Sequence, residues 1–152
     1  FFKIRHKRYF HWQQNHSIRL EPSVYYFIGD GAGAKLDIEY DYQYSPNTQY
    51  RLHYSVKGSQ AHQGLRWKHG LYRLKQLGTN RASIIGFKVQ GVRNNQRGFD
   101  VDKYTLSYRY RFNAVRKWLF FEAEPFLQWP EDENYSTTPG IIFRVEGYFN
   151  KG

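Results

Sequence analysis

The strongest constraint on this chain is a strict alternation of apolar and polar side chains. Between residues 35 and 44 the apolar positions are Leu36, Ile38, Tyr40, Tyr42 and Tyr44, and the polar positions are Lys35, Asp37, Glu39, Asp41 and Gln43. A β-strand points successive side chains to opposite faces, whereas a helix repeats every 3.6 residues. The segment therefore predicts a long strand with one apolar and one polar face.

The same alternation recurs along the chain and predicts about eight strands. They lie near residues 18–28, 35–44, 48–58, 62–75, 80–92, 104–112, 117–129 and 141–149. Short turns at 45–47, 78–80 and 113–115 alternate with more variable links at 29–33, 57–60, 92–100 and 130–138. In the fourth segment the apolar residues change parity at Tyr72, which predicts a β-bulge. This rhythm is typical of an all-β, antiparallel up-and-down barrel.

Strand length and composition favour a barrel that spans a membrane. Aromatic residues make up 20% of the chain although the mean hydropathy is −0.80. Several strands reach the roughly nine residues that a tilted transmembrane strand needs. The predicted fold is a closed transmembrane β-barrel of about eight strands, with the apolar face toward lipid.

The polar face would then line the interior of the barrel, where charges need partners. Its charged members are Arg19, Glu21, Asp37, Glu39, Arg66, Lys68, Arg109, Glu122, Glu124, Arg144 and Glu146. We expect them to form an ion-pair lattice. A hairpin centred near residue 134 would place Glu124 opposite Arg144 and Glu122 opposite Glu146.

The net charge of +10 does not by itself indicate nucleic-acid binding. Most basic residues alternate with acidic ones instead of forming one stripe, so no nucleic-acid partner is expected. Residues 1–14 form a basic lead-in segment, 15–149 the barrel and 150–152 a tail. The remaining positive charge lies at one rim, at Lys75, Arg81, Arg116 and Lys117, where anionic lipid headgroups would be the counter-charges. The chain opens without Met, so we expect it to be processed or partial.

The C-terminal part carries a family resemblance. Residues 116–130 read RKWLFFEAEPFLQWP, and an acidic loop and the strand IIFRVEGYF follow. This stretch resembles uncharacterised proteobacterial envelope proteins that look like C-terminal outer-membrane barrels. The last strand is similar to the signal read by the outer-membrane assembly machinery, with Phe143, Val145 and Phe149 at the alternate positions and Gly147 as a departure. The resemblance implies the bacterial outer membrane as location, and its lipids and lipopolysaccharide as partners.

One constellation suggests catalysis. His53 and Ser55 share a strand face, and a His beside a Ser is a minimal base and nucleophile. The pair resembles the His-x-Ser element of outer-membrane lipid A deacylases, with Asp41 or Glu39 as the orienting acid. The six His residues show no zinc spacing and the chain has no Cys, so neither a metal nor a cofactor is expected.

Three functions follow as expectations. The first is a non-enzymatic outer-membrane barrel that acts as a structural or interaction module and anchors a larger envelope assembly, with an envelope protein as partner, through its basic periplasmic edge. The second is a lipid A modifying hydrolase that uses His53 and Ser55. The third is a soluble barrel that binds a small apolar ligand.

Overall fold

The computed structural model describes residues 2–28, 31–60, 62–94, 98–113 and 119–147. The strands are β1 (Phe2–Arg5), β2 (Arg8–Gln13), β3 (His16–Phe27), β4 (Gly31–Ser45), β5 (Thr48–Ser59), β6 (His62–Gly78), β7 (Arg81–Asn94), β8 (Gly98–Asn113), β9 (Leu119–Pro130) and β10 (Thr138–Gly147). A 3₁₀ helix at Glu131–Glu133 is the only helix described. The all-β, antiparallel, up-and-down prediction is confirmed. No helix in the described ranges is long and apolar enough to cross a membrane.

The strands form one sheet in chain order, apart from its first position. β1 and β2 both pair with β3, so the residues predicted as a lead-in segment fill one further strand position in two pieces. Among the described residues β10 pairs with β9 alone, and the sheet has two free edges. Closure into a barrel and the count of eight strands therefore stay predictions.

The predicted tight turns at Pro46-Asn47 and Thr79-Asn80 are present. The third, beyond Asn113, lies outside the described residues, as do Arg116, Lys117, Phe149 and the tail 150–152. The parity change at Tyr72 is not a bulge, because the ladders of β6 with β5 and β7 run without a register shift from Leu65 to Lys75. The irregularity of β6 lies at its start, where the register with β5 shifts between His62 and Leu65.

Tyr72 explains the change of parity that suggested a bulge. Its ring lies on the polar face and covers the backbone of Gly70 and Gly86. A Cβ built at either glycine would fall within 3 Å of that ring. Two strand glycines thus leave room for one large inward aromatic side chain.

The two faces of the sheet differ in exposure, and the difference is inverted relative to a soluble protein. The polar face holds nine buried polar residues: Glu21, Ser23, Asp37, Glu39, Ser55, Thr105, Ser107, Glu122 and Glu124. In the described part of the chain Tyr25 is the one buried hydrophobic residue, whereas Leu71 is 52% and Phe143 72% exposed on the apolar face. Residues of six strands, from Glu39 on β4 to Glu124 on β9, line one cavity of about 250 Å³, so the sheet curves around its polar face.

Candidate functional site on the polar face

A first group of ion pairs joins β3, β4 and β5. Glu39 accepts a hydrogen bond from Arg19 Nη2 at 3.0 Å and lies 3.2 Å from Arg51 Nη2. Arg51 also donates from Nε and Nη2 to the two carboxylate oxygens of Asp41, at 2.7 and 3.0 Å. Such bidentate pairs are among the stronger side-chain contacts. Asp41, predicted as an orienting acid for catalysis, is therefore occupied by Arg51.

Two cations from the first strand position contact Glu21 on the side of β3 that faces away from β4. Arg5 Nη1 lies 3.2 Å and Lys7 Nζ 3.7 Å from the Glu21 carboxylate. These two cations belong to the segment predicted as a lead-in. Part of the positive charge of that segment therefore pairs with a carboxylate of the polar face.

A second group of ion pairs joins β8, β9 and β10. Glu124 lies 2.9 Å from Arg109 Nη2 and 2.6 Å from Arg144 Nη1. Glu122 lies 3.5 Å from both Arg111 and Arg144. Both carboxylates are buried and each contacts two guanidinium groups, so this part of the predicted lattice is present.

The predicted register of this hairpin was wrong. Arg144 lies opposite Glu122, and Glu146 lies opposite Phe120, so the two glutamates do not face one another. Glu146 instead pairs with Arg111 at 3.1 Å. The connecting loop contains a 3₁₀ turn followed by Asn134 and Tyr135 with positive φ, a geometry that strand alternation does not encode.

Arg66 and Lys68 are on the polar face but outside the lattice. Both are exposed, and within the described ranges neither side chain forms an ion pair. Their inclusion in the predicted lattice followed from parity alone, which assigns a face but not a partner.

Three residues that complete the arrangement were missed. Arg51 shares the parity of His53, and Arg111 shares that of Arg109, so the alternation contained the signal for both. Tyr72 lines the cavity of about 250 Å³ between the two groups of ion pairs. Its position is visible only from the register with neighbouring glycines.

His53 and Ser55 meet at a carboxylate other than the two predicted, Asp41 and Glu39. His53 Nε2 lies 3.3 Å from Asp37 Oδ1, and the Ser55 side chain hydrogen-bonds to the same carboxylate. Lys35 Nζ is also 2.7 Å from Asp37. In a catalytic triad the imidazole lies between the hydroxyl and the acid. Here the acid lies between the other two, so the described contacts give Ser55 no general base.

A fluorophosphonate probe tests this geometry. We expect the intact mass of the purified protein to stay unchanged after incubation, because the Ser55 hydroxyl contacts Asp37 and not an imidazole that removes its proton. The contrary result is a one-to-one adduct that disappears in Ser55→Ala but persists in the equally buried Ser107→Ala. It would establish Ser55 as a reactive nucleophile and favour the lipid A hydrolase as the function.

The remaining predicted residues are those of the assembly signal. Phe143 and Val145 lie on the apolar face of β10, at the free edge of the described sheet, and are 72% and 63% exposed. No group of three or more His, Asp or Glu side chains in the described ranges is arranged to hold a metal ion.

The architecture and the polar face were compared with known proteins. No protein-family model, no curated protein and no solved structure matches the chain.

Proposed function

We propose that the chain is an integral β-barrel of the bacterial outer membrane that acts as a structural or interaction module of the envelope. The observation that carries the proposal is the inverted distribution of side chains. Apolar residues cover the exposed face, and ion pairs fill the curved polar face. Transmembrane barrels have this distribution, whereas a soluble barrel that binds an apolar ligand needs its apolar residues inside.

The apolar run of β4 is comparable in height to the apolar band of an outer-membrane barrel. From Leu36 to Tyr44 the strand rises about 26 Å at about 3.3 Å per residue. A tilt of about 40° reduces this to about 20 Å, close to the apolar band of about 25 Å in outer-membrane barrels. Its middle row runs through the five central strands β4 to β8, as Tyr40, Leu52, Leu71, Phe87 and Leu106.

Aromatic contacts occur at both ends of this band. At the end with the short turns, the rings of Tyr44 and Tyr50 are 6.1 Å apart. At the opposite end, Trp67 lies 6.2 Å from Phe99, and Tyr104 lies 5.8 Å from Tyr135. Two belts of aromatic side chains are typical of the two interfaces of a membrane barrel.

The partners follow from the same placement. Lipids, including lipopolysaccharide in the outer leaflet, would cover the apolar face. Lys75 and Arg81, at the end with the short turns, would contact anionic headgroups. The assembly machinery would act on β10 during insertion.

Membrane insertion also requires that both sheet edges be paired, because hydrocarbon offers no hydrogen bonds to free backbone groups. Neighbouring strands of the sheet are antiparallel. Because there are nine strand positions, the two edges, β1–β2 and β10, run in the same direction. β3 and β10 run in opposite directions, so an antiparallel barrel of the eight long strands closes when β10 replaces β1–β2 beside β3. The displaced segment, with Arg5 and Lys7, would then be free to bind an envelope partner.

Cell fractionation tests this function. We expect the full-length gene product in the outer membrane, extracted by detergent, with a faster gel mobility before heating than after it. Closed barrels resist unfolding by the gel detergent at room temperature, which explains the expected shift. Recovery in the soluble periplasmic fraction, with no change of mobility on heating, would overturn the proposal.

A further inference from the structure

Three cations lie directly opposite one another across β4, β5 and β6. Lys35 is the register partner of Lys57, and Lys57 is the register partner of Arg66. Like charges directly opposite on a sheet are destabilising. We call these three residues the cationic row. It contrasts with the two groups of ion pairs described above, where each carboxylate contacts at least one cation.

The cationic row borders a cavity of about 350 Å³ on the polar face. Lys68, Gln90 and Asp102 also line this cavity, so four permanent cations face a single carboxylate. Such a volume is that of a small-molecule site.

The contacts within the protein leave much of this charge without a counter-charge. Lys35 Nζ pairs with Asp37 at 2.7 Å, and Lys57 Nζ lies 5.2 Å from the centre of the Tyr25 ring. Arg66 and Lys68 form no ion pair in the part of the chain that the structure describes. A polyvalent anion would supply the missing negative charge.

We propose that this cavity binds a phosphorylated ligand. The Arg66 guanidinium offers paired donors to phosphate oxygens, Lys57 and Lys68 add point charges, and the Gln90 amide adds a neutral donor. A diphosphate or a phosphorylated sugar has the required charge and size. A free phosphate and the phosphate of a lipid headgroup offer the same chemistry to this cavity. The inference rests on the polar face alone, independent of the membrane location.

Calorimetric titration of the purified full chain with inorganic pyrophosphate at low salt tests the site. We expect saturable one-to-one binding that weakens as sodium chloride is added. The double variant Lys57→Gln with Arg66→Gln should weaken binding at least tenfold. The matched control is Arg73→Gln with Arg93→Gln, which removes the same charge from the apolar faces of β6 and β7 and should change affinity less than twofold.

Two phosphate sources are then compared. Equal affinity for glycerol 3-phosphate and short-chain phosphatidic acid would identify a soluble ligand, and at least tenfold tighter binding of phosphatidic acid would identify a lipid headgroup. Should the double variant not fold, Lys57→Gln alone is measured by thermal unfolding. Its unfolding temperature should rise without pyrophosphate, and pyrophosphate should stabilise the wild type more. No binding of either phosphate, or equal losses in both double variants, would overturn the proposal.

Discussion

Replacing Leu71 with Arg should lower the free energy of unfolding in lipid by about 2–4 kcal/mol, the cost of a cation near the midplane of a membrane barrel. Leu71 lies in the middle row of the apolar face, opposite Leu52 and Phe87, and is 52% exposed. Denaturant titration of the protein refolded into phosphatidylcholine vesicles measures the change.

The control for this prediction is Tyr44→Arg. Tyr44 is on the same face, 65% exposed, and next to the Pro46-Asn47 turn. At this depth an arginine should cost about 0–1 kcal/mol. If the apolar face contacted water instead of lipid, both variants would stay within about 0.5 kcal/mol of the wild type. Equal small effects would therefore argue against the membrane barrel more directly than localisation does.

Side-chain alternation was sufficient to predict the face of the residues in the regular parts of the strands, although it was misread at Tyr72. The segment from Lys35 to Tyr44 is part of β4, and its acidic residues lie on the buried polar face as expected. Most of the predicted lattice is likewise on that face and paired. Parity is a local property of an extended chain, so no knowledge of the neighbouring strands is needed to assign it.

The partner of each polar residue could not be predicted in this way. Partners depend on register, and register depends on loop geometry. The loop conformation at Asn134 and Tyr135 accompanies a register in which Glu146 is not opposite Glu122. Between β4 and β5, a diagonal contact brings His53 to Asp37 and not to Asp41 or Glu39.

Whether the sheet closes could not be predicted from the alternation either. The sequence pattern of a strand is the same whether its edge is paired or free. β1 and β2 pair with β3 although their residues are mostly charged or exposed. The cationic row was missed for the same reason. Lys35, Lys57 and Arg66 are far apart in sequence, and only the register shows that they are neighbours.

Truncating Glu124 to Ala should destabilise the protein by about 1.5–3 kcal/mol, because the change removes the shared acceptor of two guanidinium groups that are each about one third exposed. Glu124 is 6% exposed and accepts hydrogen bonds from Arg109 Nε at 3.0 Å and Arg144 Nη1 at 2.6 Å. Denaturant titration in the same vesicles measures the loss.

Three further variants separate the lost ion pairs from the loss of a carboxylate in general. Glu131→Ala removes an exposed carboxylate from the 3₁₀ helix and should change stability by less than about 0.5 kcal/mol. Glu124→Gln keeps the shape and one acceptor oxygen but removes the charge, so its cost should lie between the two. The double variant Glu124→Ala with Arg144→Ala should cost less than the sum of the single changes, because the second removes a cation that the first leaves unpaired. The free-energy changes of the two single variants could instead be strictly additive, or Glu124→Ala could cost no more than Glu131→Ala. Either result would mean that water solvates each charge of the polar face and that the ion pairs do not stabilise the protein.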